Sequence, residues 1–397
     1  YKGMLLNIFS IKPIDSELIN EVASTVKGIV KRDLTQIISK GTILDNESLN
    51  ELENNYIGAI IDFNHVYSIC YSDISTGIIY VSLLEHNNLK LVNEIVSIGI
   101  KEVLVSDKLD KMIVSLLKNQ FKLTVSISDN IVEQEEYKYI YSDITDMRYV
   151  EVIKFLLTYI TDTQKRSLSH MQKAIIKENK NYLKMDIHTK RNLELTETLR
   201  LKERTNSLIW LLDKTKTAMG SRLLKTYIEN PLINKQDIEA RYDIVDTLLK
   251  EFILASDLGE YLYNIYDLER LSGRIAFGSA NGKDMLQLKN SLKFLPLIKD
   301  ILNKINFYKN IDTMEDLYEL LDKALYENPP ISIKEGYLIK EGYNKELDEL
   351  KDLRKGGKDF VAKFEMEERE RTGIKTLKVG YNRVFGYYIE ISKGLSK

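Results

Sequence analysis

Two aspartates at the ends of neighbouring predicted strands are the strongest candidates for chemistry in this sequence. Asp62 ends the run YIGAIID and Asp73 ends the run VYSICYSD, and both runs are rich in β-branched and aromatic residues. Enzymes that cleave phosphodiester bonds with two metal ions hold those ions about 4 Å apart between several carboxylates. A metal-dependent nuclease with a ribonuclease H-like sheet is therefore one alternative. Glu102 or Asp107 would be its third ligand, although their spacing does not place them there.

A structural role for Asp73 competes with the metal site. The residue is followed by Ser75-Thr76-Gly77, and aspartate side chains commonly bond to the backbone of such turns. This role requires no metal ion, so the sequence alone leaves both explanations open.

The other residue types used in catalysis do not form a recognisable set. The four histidines have no metal-ligand spacing; they are His65, His86, His170 and His188. The single cysteine, Cys70, lies in a predicted strand and is expected to be a small buried side chain. It excludes an intramolecular disulfide and fits a reducing compartment.

Phosphate-binding loops are missing from the sequence. There is no G-x-x-x-x-G-K-[ST] and no G-x-G-x-x-G, and the run GGKD at Gly356 lacks both the spacing and the hydroxyl of a phosphate loop. We therefore expect no catalytic residues, no cofactor and no metal site in this chain, and no enzyme activity of its own.

The predicted secondary structure, which must position these residues, changes along the chain from mixed strands and helices to helices alone and then to a final pair of strands. Near the start of the chain, a short helix is predicted at 17–25 and a strand at 33–38. Up to about residue 145, three strands with turn signals then precede alternating helices and strands, which indicates an α/β domain with a mixed sheet, like ribonuclease H in outline. From Tyr149 onwards apolar residues recur with a period of 3.6, which predicts an all-helical domain. Its predicted helices are 149–160, 189–199, 217–229, 235–250, 267–277, 284–294 and 314–326. A long helix from Asn344 to Arg371 precedes two strands, 374–381 and 386–392. A lone hairpin is marginally stable, so we expect further strands to complete its sheet.

Composition limits the kinds of partner. The chain has 397 residues, enough for two or three domains, and a net charge of −2. Binding to a polyanion must therefore depend on a local basic surface. No run of 18 apolar residues and no signal peptide occur, which predicts a cytoplasmic protein without a membrane partner. Because the chain opens on Tyr1, we expect it to be part of a longer protein.

Long stretches of the helical part and the hairpin resemble the MutS mismatch-repair family. They are RNLELTETLR (Arg191 to Arg200), SLIWLLDKTKTAMGSRLLKTYIENPL (Ser207 to Leu232), YDLERLSGRIAFGSAN (Tyr266 to Asn281) and ERERTGIKTLKVGYNRVFGYYIEIS (Glu368 to Ser392). Two shorter stretches of the α/β part, VKRDLTQIISKGT and SDISTGIIYV, extend the resemblance to about residues 27–397.

The resemblance implies four parts and a function in DNA mismatch repair. The parts are an N-terminal remnant and linker (1–42), a ribonuclease H-like connector (43–145), a helical core and lever (146–343), and a lever helix with the first hairpin of a β clamp (344–397). In this family the connector has no nuclease activity. The mismatch-reading Phe-x-Glu motif is not found in residues 1–26, and the ATPase domain would follow Lys397. ATP and Mg²⁺ are thus expected only for the full-length protein.

Local charge supports duplex DNA as the partner of the final hairpin. Residues 374–397 carry five cations and one anion, a net charge of +4. Strand alternation makes neither face of the hairpin purely cationic, so the turn and the last segment are better candidates for phosphate contacts. The predicted DNA-binding residues are Asn382, Arg383, Lys393, Gly394, Ser396 and Lys397.

Other cations and the tryptophan of the helical part are expected to have structural roles. Trp210, flanked by leucines, should lie in the core, and Thr215-Lys216-Thr217 should cap the next helix with Lys216 in solvent. Ion pairs within one helix are expected among Asp267, Glu269, Arg270 and Arg274.

The favoured function is that of the middle section of a mismatch-recognition protein. It would bind duplex DNA non-specifically through the clamp and couple it mechanically to an ATPase domain in a bacterial, nucleoid-associated protein. Besides the nuclease, the remaining alternative is a connector scaffold that docks a MutL-like repair protein. A homodimer is expected for the full-length protein.

Overall fold

A computed structural model describes residues 6–10, 33–43, 48–177, 181–308, 310–382 and 386–391. These residues belong to two compact units that divide between Tyr318 and Glu319. In the part of the chain so described, no helix combines the length and the apolar character that a membrane span needs.

A mixed sheet forms the centre of the first unit, as the sequence predicted, but it has six strands, and the last of them lies in the part predicted to be all-helical. Its strands are β3 (Tyr56–Asp62), β4 (Val66–Asp73), β5 (Ile78–Glu85), β6 (Glu102–Val105), β7 (Thr124–Ile127) and β8 (Ile175–Ile176). Their order across the sheet is β7-β6-β3-β4-β5-β8. The pairs β3–β4 and β4–β5 are antiparallel, whereas β3–β6, β6–β7 and β5–β8 are parallel.

Both faces of this sheet are buried because side chains alternate along each strand. Ile57 and Cys70 lie in one apolar cluster, and Ile60 and Tyr71 lie in the other. The second face is covered by helix α1 (Asn88–Ile98) and the short α2 (Lys111–Ser115).

Helix α3 (Met147–Gln164) covers the first face of the sheet. Ile153, Leu156 and Ile160 are fully buried in the same cluster as the strand residues. The 3.6-residue period at Tyr149 correctly predicted a helix. However, its apolar side packs on the sheet and not on the helices that follow in sequence.

The helical part begins at Ile187, and most of its helices lie where the sequence predicted them. Its helices are α4 (Ile187–Asn192), α5 (Leu208–Leu212), α6 (Ala218–Glu229), α7 (Lys235–Lys250), α8 (Phe252–Tyr263), α9 (Leu268–Ala276), α10 (Gly282–Lys304), α11 (Glu315–Ala324) and α12 (Lys345–Thr372). Side-chain caps at Ser207, Thr217 and Asn234 accept backbone N–H groups where α5, α6 and α7 begin. The sequence pattern missed α8. It also ended α10 too early, since that helix continues through Pro296.

Helix α9 fastens the helical part to the α/β sheet. A Cβ atom on Gly273 would lie 2.3 Å from the carbonyl oxygen of Ser75, so only glycine permits this approach. The ring of Phe277, just after α9, stands edge-on to the ring of His170, 4.9 Å away between centroids. Burial lowers the pKa of His170, whose Nε2 lies 2.7 Å from the carbonyl oxygen of Ile74.

Two buried arginines complete this attachment by holding the loop that precedes β3. Arg270 donates to the carbonyl oxygens of Asn50 (3.1 Å) and Glu53 (2.7 Å). Arg222 donates to the carbonyl oxygen of Glu51 at 3.0 Å and also binds the carboxylates of α9. The prediction of ion pairs within this helix is confirmed only in part. Arg270 Nε lies 3.9 Å from the Asp267 carboxylate, but Arg270 also binds distant backbone groups, and Arg274 pairs with Asp284 of α10 at 2.8 Å.

A second, two-stranded sheet pairs β1 (Leu6–Ser10) with β2 (Asp33–Ile38), where the sequence predicted a strand. The segment after β2 is held by Glu102, which is fully buried at the start of β6. Its carboxylate accepts hydrogen bonds from the Ser39 hydroxyl, the Gly41 backbone N–H (3.1 Å) and the Tyr159 hydroxyl (2.8 Å). The predicted helix at residues 17–25 lies outside the described residues.

Candidate nucleic-acid interface

The two aspartates of the nuclease alternative lie at opposite ends of one strand pair. In the β3–β4 register Asp62 pairs with Tyr67, whereas Asp73 pairs with Tyr56. Six residue steps separate the two positions along the sheet, which is roughly 20 Å at about 3.4 Å per residue. Two metal ions about 4 Å apart cannot bridge this distance. Among the described residues, no group of three or more histidine, cysteine, aspartate or glutamate side chains is arranged to hold a metal ion.

Asp73 is a turn-capping residue. It is 1% exposed, and its carboxylate accepts hydrogen bonds from the Ser75 N–H (3.0 Å), the Ser75 hydroxyl (2.6 Å) and the Asn55 N–H (2.9 Å). Asp62 instead lies near the surface, where it bonds to the Asn64 N–H and His86. The sequence-based explanation of Asp73 without a metal is thus the correct one.

Substitution of these two aspartates should separate the structural from the catalytic role. We expect Asp73→Ala to lower the free energy of unfolding by about 2–3 kcal/mol, because it leaves buried donors without an acceptor. We expect Asp62→Ala to cost less than about 1 kcal/mol, as for other exposed polar contacts. Urea unfolding measures both values. Mg²⁺-dependent cleavage of labelled DNA or RNA that Asp62→Asn abolishes would contradict this assignment.

The remaining reactive side chains of the first unit are structural or exposed. Cys70 is fully buried in β4, and burial raises the pKa of its thiol well above the usual value, as expected for an unreactive cysteine. Thr217 caps α6, and Lys216 is exposed, both as predicted. The prediction for Trp210 was wrong: its side chain is 48% exposed, and the buried residue of α5 is the neighbouring Ile209.

The second unit presents a hairpin at the end of its long helix. Helix α12 begins at the Asn344 cap, continues through Gly356, and ends at Gly373, whose φ of 68° is left-handed. Strands β9 (Lys378–Asn382) and β10 (Gly386–Glu390) then pair in antiparallel fashion. The predicted hairpin is therefore present, and its first strand starts four residues later than predicted because Ile374–Leu377 form a turn.

The described part of this hairpin carries exposed lysines and exposed aromatic rings. Lys375 and Lys378 are exposed, and Glu390 lies opposite Lys378 in the register. The rings of Tyr381 and Tyr387, 64% and 67% exposed, meet edge to face at 5.1 Å between centroids. Because side chains alternate along a strand, these two rings and Lys378 lie on opposite faces of the hairpin. Lysines can pair with phosphates, and exposed rings can stack on nucleotide bases.

Of the residues predicted to contact DNA, the structure describes only the backbone of Asn382. The backbone of Asn382 pairs with Gly386 at the end of β9, next to the turn, and its side chain is not described. The others lie outside the described residues: Arg383, Lys393, Gly394, Ser396 and Lys397. Their contacts with DNA stay predictions.

Two charged residues of α12, Glu365 and Arg369, connect the helix to the hairpin, and sequence reasoning missed them. The Nε of Arg369 donates to the carbonyl oxygen of Leu377 at 2.6 Å, and the Val379 N–H donates to Glu365 Oε2 at 2.9 Å. The two side chains also form an ion pair of 2.5 Å. Their i,i+4 spacing was visible in the sequence, but such pairs usually stabilise only their own helix.

The architecture defines a class of multidomain protein in which an α/β sheet is joined to a helical part, and a long helix ends in a β hairpin. Comparison with known families gives the same division. The model of MutS domain II matches residues 55–172, and the model of MutS domain III matches residues 188–375. The first region contains strands β3 to β7 and helices α1 to α3, and the second contains helices α5 to α12 and all but the first residue of α4.

Similar proteins share most of this sequence. The DNA mismatch repair protein MutS of Bacillus licheniformis is 46% identical over 379 residues, which are 94% of this chain and 43% of the relative. The protein of the same name from Bacillus subtilis is 45% identical over 379 residues, which are 94% of this chain and 44% of the relative. The chain thus spans less than half the length of these relatives. It belongs to the MutS family.

Proposed function

We propose that this chain is the DNA-holding middle section of a DNA mismatch repair protein. The observation that carries the proposal is the hairpin at the end of α12, with its exposed lysines and aromatic rings, in a chain whose relatives are named DNA mismatch repair protein MutS. In this function the hairpin is the first part of a β clamp that grips duplex DNA by its phosphates. The helices act as a lever between the clamp and an ATPase domain of the whole protein.

The sheet is proposed to be a ribonuclease H-like connector. Three antiparallel strands, β3 to β5, are followed by β6, which lies parallel to β3, and by β7, which lies parallel to β6. This order supports the assignment. We propose that the connector extends from residue 43 to about residue 172, the end of the match to MutS domain II, since α3 is part of the core of the sheet. The helical core and lever then continue to 343, and the lever helix and clamp hairpin occupy 344–397.

The contacts of the clamp with DNA are proposed to be non-specific. Arg383, Lys393 and Lys397 would pair with phosphate oxygens, whereas Asn382 and Ser396 would donate neutral hydrogen bonds and Gly394 would permit a close approach. The partners expected for the whole protein are a MutL-like protein at the connector and a second copy of the chain. This sequence contains no phosphate loop, so ATP and Mg²⁺ would act in another part of the whole protein.

Charge reversal at the predicted phosphate contacts tests this function. We expect the chain to bind a short homoduplex weakly, with an affinity that falls steeply as salt rises, because binding releases counterions. The double variant Arg383→Glu, Lys393→Glu should reduce the affinity at least about tenfold at low salt. It should also lower the magnitude of the slope of the logarithm of the binding constant against the logarithm of the salt concentration by about two, because about two phosphate contacts are lost. Fluorescence anisotropy over a salt series measures both effects.

The matched control is Lys235→Glu, Lys250→Glu, which makes the same change of charge on exposed side chains of α7, a helix of the first unit. It should weaken binding far less. Equal loss in both double variants would mean that net charge, and not the hairpin, determines the affinity.

A further inference from the structure

We infer that Glu365 and Arg369 are positioning residues for DNA binding, which fix the direction in which the β9–β10 hairpin leaves helix α12. The inference rests on the proposed function, because it requires the hairpin to be the part that binds DNA. Neither residue belongs to the predicted set of phosphate contacts. Each acts through the backbone at the start of the hairpin.

The two side chains bind two backbone groups on the same side of the chain. The carbonyl of one residue and the N–H of the second residue after it point the same way in an extended strand. Arg369 donates a hydrogen bond to the carbonyl oxygen of Leu377 at 2.6 Å, and Glu365 accepts one from the N–H of Val379 at 2.9 Å. The ion pair between the side chains closes the arrangement into a ring. Such a ring fixes both the distance and the angle between helix and strand.

Much of the described part of the hairpin is exposed and is therefore not held in place by packing. Leu377, just before β9, is 3% exposed, whereas Tyr381, Tyr387 and Ile389 are each more than half exposed. The connection itself contains Gly373, which follows the helix in a left-handed conformation. Charge-assisted hydrogen bonds are stronger than neutral ones, and Glu365 is only 23% exposed. The ring therefore makes the hairpin move together with the last turns of α12.

The sign of the change in DNA affinity distinguishes this role from a simple effect of charge. Removing a carboxylate near a polyanion strengthens binding by electrostatics alone. Glu365→Ala should instead weaken homoduplex binding about fivefold, as expected if about one-fifth of the molecules keep the competent orientation. Glu365→Gln keeps an oxygen that can accept from Val379 and should restore most of the affinity.

The control is Glu367→Ala, which removes the same charge from an exposed pair with Lys363 on the same helix. It should bind DNA as tightly as the wild type or more tightly. Hydrogen exchange provides a second readout: the Val379 amide should lose protection in Glu365→Ala and keep it in Glu367→Ala. If Glu365→Ala does not fold, Arg369→Lys tests the same ring, because lysine cannot bind the carbonyl and the carboxylate in the same geometry.

Two results would overturn the inference. One is a Glu365→Ala variant that binds homoduplex at least as tightly as Glu367→Ala. The other is full protection of the Val379 amide in both Glu365→Ala and Arg369→Lys. A wild-type chain that does not bind homoduplex at low salt would overturn the proposed function instead, and the exchange data would still report on the ring.

Discussion

Gly273→Ala should lower the free energy of unfolding of the first unit by about 2 kcal/mol, the balance of two opposing effects. A Cβ atom at this position would lie 2.3 Å from the Ser75 carbonyl oxygen, which belongs to the backbone and cannot rotate away. Helix α9 must therefore move away from the turn after β4. Overpacking of this kind costs about 1–3 kcal/mol or more, whereas the higher helix propensity of alanine returns up to about 1 kcal/mol.

Gly259→Ala is the matched control for this prediction. Gly259 also lies inside a helix, α8, but the nearest heavy atom to its added Cβ would be Lys216 Cε at 3.8 Å. This substitution should leave the stability unchanged or raise it by up to about 1 kcal/mol. Urea unfolding followed by circular dichroism gives the difference between the two variants. If both have the same midpoint, α9 does not rest on the turn as closely as described.

Arg222→Met should lower the free energy of unfolding by about 3 kcal/mol, at the lower end for a broken buried ion pair. The arginine is 4% exposed, and its two terminal nitrogens bind both carboxylate oxygens of Asp267 and one of Glu269. Methionine fills much of the volume but leaves two carboxylates and the carbonyl of Glu51 without their donor. The loss should depend less on salt than that of an exposed pair, because the guanidinium of Arg222 and most of Asp267 are shielded from water.

Arg148→Met removes a similar forked pair from the surface. Arg148 binds both oxygens of Asp146, but the side chain of Arg148 is 47% exposed. The expected loss is below about 1 kcal/mol and should shrink as salt rises. Chemical denaturation at low and high salt measures both variants. Similar losses for Arg148→Met and Arg222→Met would show that the Arg222 pair is not buried in solution.

The sequence predicted most of the elements because their signals are local. Runs of β-branched and aromatic residues between turn signals identified β3, β4 and β5, and the period of 3.6 identified α7 with its observed ends. The α/β-then-helical order and the hairpin followed from the same patterns. Asp73 could be assigned to its turn because the donors of Ser75 are only two residues away.

Contacts between distant segments could not be predicted in this way. The sequence places Arg270 beside acids of its own helix, but its carbonyl partners are more than 200 residues earlier in the chain. Trp210 has an apolar neighbourhood in sequence, yet the side of α5 that is buried is the one that carries Ile209. Glu365 and Arg369 resemble an ordinary helical ion pair until the strand is placed beside them. For the DNA site, the sequence predicted a hairpin that the structure contains, and every contact of that hairpin with DNA remains a prediction.

The attachment of α9 to the loop before β3 also determines when this protein can finish folding on the ribosome. Arg270 and its acceptor Asn50 are 220 residues apart, and at about 5–20 residues per second the arginine is synthesised roughly ten to forty seconds after the loop. During that interval α9 does not yet cover the turn after β4, and Phe277 does not yet pack into its apolar cluster on the sheet. Growing chains should therefore depend most on chaperones between the synthesis of the sheet and the synthesis of α9.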